Sequence, residues 1–226
     1  MMQIGNKKQL LERIINVFET GSIKGDYSNI SIFHDGPGKI RQITYGRAQT
    51  TEYGNLKRLV KEYAAAHGAL SHELGQFTAR VGTTALTDDA VFKDLLKRAG
   101  REDAVMRKVQ DQFFDAVYFT PAMNWADEQG FKKPLSALVI YDSFIHSGGI
   151  LKDLRNKFAE KPPSAGGNEK AWITAYVDAR HHWLENHSNP ELHPTVYRTK
   201  CFKREIQRNN WDLSLLPINA NGTNVS

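Results

Sequence analysis

Apolar residues at Leu11, Ile15 and Phe18, spaced by four and three, predict an amphipathic helix over residues 7–19. The period then changes. "YSNISIF" and "IRQITYG", within residues 27–46, are short β-type runs, and the "HDGPGK" between them is turn chemistry. Helical patterning returns over 52–67, 88–99 (capped by Asp88 or Thr87), 103–117 and 120–129. Residues 134–147 read as a buried helix opened by Pro134, a favoured first-turn residue. A further helix spans 168–186 with Asn168 as its cap. "EKPPSAGGNE" and "NHSNPELHP" are loops, and the polar tail after Pro217 is expected to fray. There is no internal repeat and no low-complexity segment.

Three charges break this inside/outside pattern. Glu19 follows Phe18 one turn beyond Ile15, on the apolar stripe of the first helix. Asp142 sits within "LSALVIYDSFIH", the most apolar helix of the chain. Arg180 continues the stripe Ile173, Val177, Leu184. A buried charge needs a partner or a shifted pKa. An Asp142–Arg180 ion pair between packed helices is the natural pairing, either pinning the helices or orienting a nearby reactive group. Glu19 at a helix end and Asp35 in the next turn are either two unrelated surface acids or a pair performing acid/base work on one bond.

Composition narrows the classes. The chain has 226 residues, 40% hydrophobic and 24% charged, an ordinary globular profile with enough length for a substantial core. No apolar run is long enough to span a membrane, and "MMQIGNKKQLLERII" has no signal-peptide core. The net charge of +5 and pI near 9.2 favour anionic partners. The basic residues are nonetheless scattered over "KKQLLER", "LKRLVKEY", "LLKRAGRED" and "FKREIQR", as solvated helix faces are, and no nucleic-acid-binding signature accompanies them. Cys201 is the single cysteine, which excludes an internal disulfide. Phosphate-loop, G-x-S-x-G, H-E-x-x-H and C-x-x-C motifs are absent. His181, His182, His187 and His193 run from a helix into a loop, without the spacing a zinc site uses. No metal, no cofactor, no nucleic acid and no membrane is expected.

Four blocks in order, "FETGS…DGPG…ITYGRAQTTEYGNL", "VYFTPAMNWADEQGF", "LVIYDSFIHSGG" and "GGNEKAWITAYVDAR", resemble family 46 of the glycoside hydrolases, the chitosanases of the lysozyme superfamily. The resemblance covers most of the chain. It implies a mainly α, lysozyme-like α+β fold: two helical lobes around a substrate cleft, a small β-hairpin or sheet in one lobe, and a long bent helix joining them. One catalytic domain would span 1–226, with the cleft drawn mainly from 7–56 and core helices from 57–217. The implied reaction is endo-hydrolysis of β-1,4-linked chitosan with inversion.

By that resemblance Glu19 is the general acid and Asp35 the general base, about 6.5–9.5 Å apart to admit a water. Asp142, Arg180 and Arg198 form a supporting ion-pair network behind the acid. An apolar setting raises the pKa of Glu19, a close arginine lowers it, and Asp142 moderates that pull. Thr44 is the implied water-positioning residue, and Tyr45, Glu52 and His146 the implied substrate contacts. The chain departs from the family's "GDGRG" at Pro37, where an arginine is usual. The implied protein is a secreted monomer acting on a polysaccharide. Two other functions are compatible with the residues. One is a muramidase acting on peptidoglycan, which the net positive charge favours. The other is a non-catalytic glycan-binding module, which the intact Glu19 and Asp35 argue against.

Overall fold

The computed structural model describes residues 7–47 and 50–226; Ala48 and Gln49 of the "ITYGRAQTTEYGNL" block and the first six residues of the N-terminal stretch lie outside them. The first helix, α1 (Lys8–Thr20), buries Leu11, Ile14, Ile15 and Phe18 along one stripe. Gly21 ends it in the left-handed conformation, φ +70°, with its N–H on the Val17 carbonyl at 2.9 Å. A glycine there lets the chain turn away directly after Glu19 and Thr20.

The change of period after α1 produces an antiparallel sheet of β1 (Ile30–Phe33), β2 (Gln42–Tyr45) and β3 (Thr50–Thr51), in that order. Ile32 pairs with Ile43 and Phe33 with Gln42, and the turn between them holds Asp35. Gly36 is required in this turn because a Cβ would stand 2.8 Å from the Ile40 carbonyl oxygen. α2 (Leu56–Ala65) begins later than its pattern predicts. Residues 50–55 are used first, in β3 and the turn closed by Gly54 N–H on the Thr51 carbonyl at 3.0 Å.

α3 (Ser71–Gly75) is short. α4 (Ala90–Glu102) is capped by Asp89, which accepts from Phe92 N–H at 3.0 Å, rather than by Asp88 or Thr87. α5 (Ala104–Phe114) stops three residues before its predicted end and passes into a π-helical turn, Asp115–Phe119. α6 (Thr120–Glu128) follows. α7 (Pro134–Ser147) has the predicted bounds and is buried almost all round over Leu135–Ser143. α8 (Lys152–Arg155) is one turn. α9 (Glu169–Glu185) is capped by Asn168, whose side chain accepts from Ala171 N–H at 3.1 Å.

Beyond α9 the sequence pattern is a poorer guide. "NPELHP" belongs to a 3₁₀ turn, Pro190–Val196, that leads into α10 (Tyr197–Gln207). The tail is ordered by a hairpin, β4 (Ile218–Ala220) and β5 (Thr223–Val225), instead of fraying. Its two-residue loop, Asn221-Gly222, has φ of +47° and +87°, the positive values that Asn-Gly hairpin turns use. Ile218, Ala220 and Val225 are fully buried, and the hairpin packs on α1 and α10.

By contacts the chain forms two compact units. One is the chain up to Ile23 together with Ala116–Ser226; the other is Lys24–Asp115. The first holds α1, α6–α10 and the tail hairpin around an aromatic cluster of Trp125, Phe131, Trp172 and Tyr176. The second holds the three-stranded sheet and α2–α5. The division expected at 56/57 falls inside the second unit, because α2 packs on β3 and α5.

Since the hairpin's apolar face completes the packing on α1, Ile218→Ala should destabilise the protein by about 2–5 kcal/mol. Equilibrium denaturation measures this; a loss within a few tenths of a kcal/mol would show a tail that frays after all.

Candidate active site

In the first unit, α1 delivers Glu19 from the end of its buried stripe, with the side chain only 9% exposed. α10 brings Arg198 to it. One guanidinium nitrogen, Nη2, donates to Glu19 Oε1 at 2.6 Å, and the other, Nη1, to Asp142 Oδ1 at 2.6 Å. The second oxygen of Asp142, on α7, accepts from Arg180 Nη1 of α9 at 2.6 Å. The four residues form one chain of alternating charge, Arg180–Asp142–Arg198–Glu19, spread over four helices. The Asp142 and Arg180 side chains are completely buried. The inference that these off-pattern charges partner one another holds, and Arg198 joins Glu19 to them.

Burial pushes the Glu19 carboxyl above the ordinary glutamate range; Arg198 opposes this through its charge and hydrogen bond, and Asp142 adds to the rise. For Asp142, burial acts in the same direction but is outweighed by the charges of Arg180 and Arg198, so its pKa is lowered. For Arg198, desolvation is overcome by Glu19 and Asp142, and the guanidinium is held more firmly cationic. His146 lies one turn after Asp142 on α7. Burial, then the charges of Arg198 and Arg180, drive its pKa down to about 3, so the imidazole is neutral. Its Nδ1 is buried without a hydrogen-bond partner in the protein.

In the second unit, Asp35 is exposed in the β1–β2 turn, and its Oδ1 accepts from the Gln42 side-chain amide at 2.9 Å. Gln42 was not anticipated from sequence. The available signal was period-two alternation, which puts Gln42 on the same face of β2 as Thr44. The Thr44 hydroxyl is buried and hydrogen-bonds no protein group, Asp35 included.

Two expected substrate contacts are internal braces. Glu52 is fully buried; its Oε2 accepts from Ile43 N–H at 3.0 Å and its Oε1 from Leu86 N–H at 2.7 Å. A carboxylate enclosed this way ties β2 to the loop at Leu86 and cannot reach a sugar amine. Tyr45 is fully buried too, donating to the Leu96 carbonyl at 2.8 Å, and burial raises its pKa. It is a core residue. The C-terminal histidines have local partners: His181 contacts Thr199 Oγ1 at 2.7 Å and Glu185 at 3.1 Å, and His193 contacts the His187 carbonyl at 2.8 Å.

Arg180→Ala leaves Asp142 with one cation instead of two and should cost roughly 3–5 kcal/mol, the usual penalty for breaking a buried ion pair. A calorimetric loss below 1 kcal/mol would contradict the buried pairing. His146 gives a pH-dependent companion. Its folded pKa lies below the unfolded value of 6.5, so the unfolded state binds more protons between about 3 and 6.5. Stability therefore falls as pH drops through that window, by about 2 kcal/mol from pH 7 to pH 5. Glu19, with its raised pKa, acts with the opposite sign above 4.5. The difference between His146→Gln and the parent isolates the imidazole: the variant should lose about 2 kcal/mol less on acidification to pH 5. Parallel stability–pH curves would contradict a neutral buried His146.

Comparison with known proteins bears on this arrangement. The chitosanase of Bacillus subtilis (strain 168) is 27% identical, across 92% of this chain and 80% of that protein. The crystal structure of native chitosanase from Bacillus subtilis MY002 superposes with a TM-score of 0.83 at 26% identity, covering 97% of this chain and 98% of that one. A Gynuella sunshinyii family 46 chitosanase in complex with chitotetraose gives a TM-score of 0.81 at 25% identity, covering 97% and 96% of the two chains. The model for "Glycosyl hydrolase family 46" matches residues 13–218, nearly the whole chain, and with it the helix of Glu19, the turn of Asp35 and the helices of Asp142, Arg180 and Arg198. The chain belongs to glycosyl hydrolase family 46.

Proposed function

We propose that this chain is an endo-acting chitosanase that cleaves β-1,4 linkages between glucosamine units with inversion at the anomeric carbon. The observation that carries the reading is the Arg198 contact to Glu19. A family 46 chain puts one carboxyl, with a pKa raised by burial, at the end of a chain of buried charges. A general acid for near-neutral chemistry needs such a setting. Arg198 occupies Oε1 as a donor, so the transferable proton of Glu19 resides on Oε2 and points to the leaving glycosidic oxygen.

Asp35 is the general base in this reading. It lies in an exposed turn that water can reach, and activates a water on the face of the ring opposite the leaving group. His146, neutral beside the charge array, contacts substrate. The proposed catalytic carboxyls come from one chain, so a monomer is competent, and a polymer substrate puts the site of action outside the cell. The names of the similar proteins, and the chitotetraose bound by one of them, support the choice of polymer.

Glu19→Gln should fold normally and lose activity by about 10²–10⁴-fold, because an amide cannot protonate the leaving oxygen; Asp35→Asn should lose a similar factor. Retention of a tenth of parental turnover by either variant would refute its role. The alkaline limb of kcat/KM should vanish in Glu19→Gln and, in the parent, lie above the ordinary glutamate value of 4.5. NMR of freshly cleaved chitosan should show the α-anomer first, and a β-anomer would exclude inversion. Peptidoglycan is assayed alongside; hydrolysis of it with chitosan untouched would make the enzyme a muramidase.

A further inference from the structure

We infer that Gln42 is a positioning residue for Asp35, an amide clamp that fixes the carboxylate in the orientation from which it activates water. The inference rests on the reading of Asp35 as the general base.

Asp35 has little else to hold it. It lies in an exposed turn whose backbone conformation is set by Gly36, Pro37, Gly38 and Lys39, the last two at φ of +65° and +62°. A carboxylate on such a turn has free χ1 and χ2 unless a side chain constrains it. Gln42 supplies that constraint from the sheet. The β1–β2 register ends with Phe33 opposite Gln42, so Gln42 stands at the mouth of the turn that holds Asp35, and its long side chain reaches the carboxylate. The Gln42 side chain is itself immobilised, the residue being only 4% exposed.

The orientation of the amide follows from its partners. Its Oε1 accepts the backbone N–H of Tyr53 at 3.3 Å, and its Nε2 donates to Asp35 Oδ1 at 2.9 Å. An ionised carboxylate offers only acceptors and a backbone N–H only a donor, so the reversed amide would lose both bonds. Gln42 thus transmits a fixed backbone position at Tyr53 to one oxygen of Asp35. That leaves Oδ2 as the oxygen to take a proton from water. Geometry of this kind matters to rate, since small misplacements of a reacting group cost on the order of 10²-fold.

Gln42→Met keeps the length and volume of the side chain and removes both hydrogen bonds. Gln42→Glu keeps an acceptor for Tyr53 N–H but sets a second carboxylate against Asp35, so besides lowering kcat it should shift the acidic limb of the pH–rate profile upward, a readout that a merely structural role would not move. Both variants should lower kcat on chitosan by about 10- to 100-fold with KM within about twofold of the parent. A residue that only packs would lower Tm and leave kcat per folded molecule unchanged. The deciding measurement is the double-mutant cycle with Asp35→Asn, read by a sensitive end-group assay. If Gln42 acts through Asp35, Gln42→Met costs nothing further once Asp35 is an asparagine. Parental kcat in both Gln42 variants, or full additivity in the cycle, would overturn the inference. An active Asp35→Asn enzyme would instead overturn the assignment of the base, so the two failures are distinguishable.

Discussion

Arg198 connects two carboxyl groups that differ in kind. Asp142 has no exposure to water and is held ionised by two guanidinium groups, whereas Glu19 stands at the edge of the array with 9% of its side chain exposed. The first unit has to satisfy this contact before anything else. Bringing Arg198 to both carboxylates requires α1, α7 and α10 to meet at one point, and Arg180 adds α9. The apolar stripes of these helices would tolerate other packings; the buried charges of Asp142, Arg180 and Arg198 would not, because an orphan among them costs several kcal/mol. Tyr197 reinforces the junction by donating to the Phe18 carbonyl at 2.6 Å, beside the Arg198 contact to the same carboxyl-bearing turn. The array therefore specifies how the helices are arranged more than it adds net stability.

The same constraint tunes chemistry. If Arg198 faced Glu19 alone, its charge would work directly against a protonated acid. Asp142 answers that charge on the other side and is answered in turn by Arg180, so the pull on Glu19 is reduced without removing the arginine that orients it. Burial then dominates, and the Glu19 carboxyl rises. Neutral His146 adds no cation to the array, as its depressed pKa requires. Position and protonation are set by one group of side chains, which is economical in a small helical unit.

How much of this can be read from residues alone depends on the range of the interactions. Glu19, Asp142 and Arg180 stood out because each interrupts a periodic apolar stripe, a local signal. Arg198 was reached through the family resemblance, because α10, "YRTKCFKREIQ", is so polar that periodicity does not mark its buried side; it nevertheless buries Arg198, Thr199, Phe202 and Glu205. Glu52 and Tyr45 were misread for the converse reason. The resemblance supplied them by position alone, whereas their partners, the backbone N–H of Leu86 and the carbonyl of Leu96, are distant in sequence. Gln42 escaped because its significance is a cross-turn bond to Asp35, although its strand was legible. The tail hairpin was readable in principle from Asn221-Gly222, but three-residue strands are too short to display alternation.

The two proposed catalytic carboxyls are built on opposite principles, and the opposition follows from their tasks. An acid that must keep its proton near neutrality gains from desolvation, so Glu19 belongs on a helix, against apolar side chains, with charged groups arranged to limit the penalty. A base that must stay ionised and meet water gains nothing from burial. Asp35 accordingly sits on an exposed turn, and its restraint has to come from neutral hydrogen bonding rather than from a buried cation. Proline at position 37, where the resembled pattern has arginine, stiffens the turn and adds no charge beside Asp35. An amide is the suitable clamp under those conditions. It donates a directed bond without adding charge, and the Tyr53 backbone keeps it from turning over.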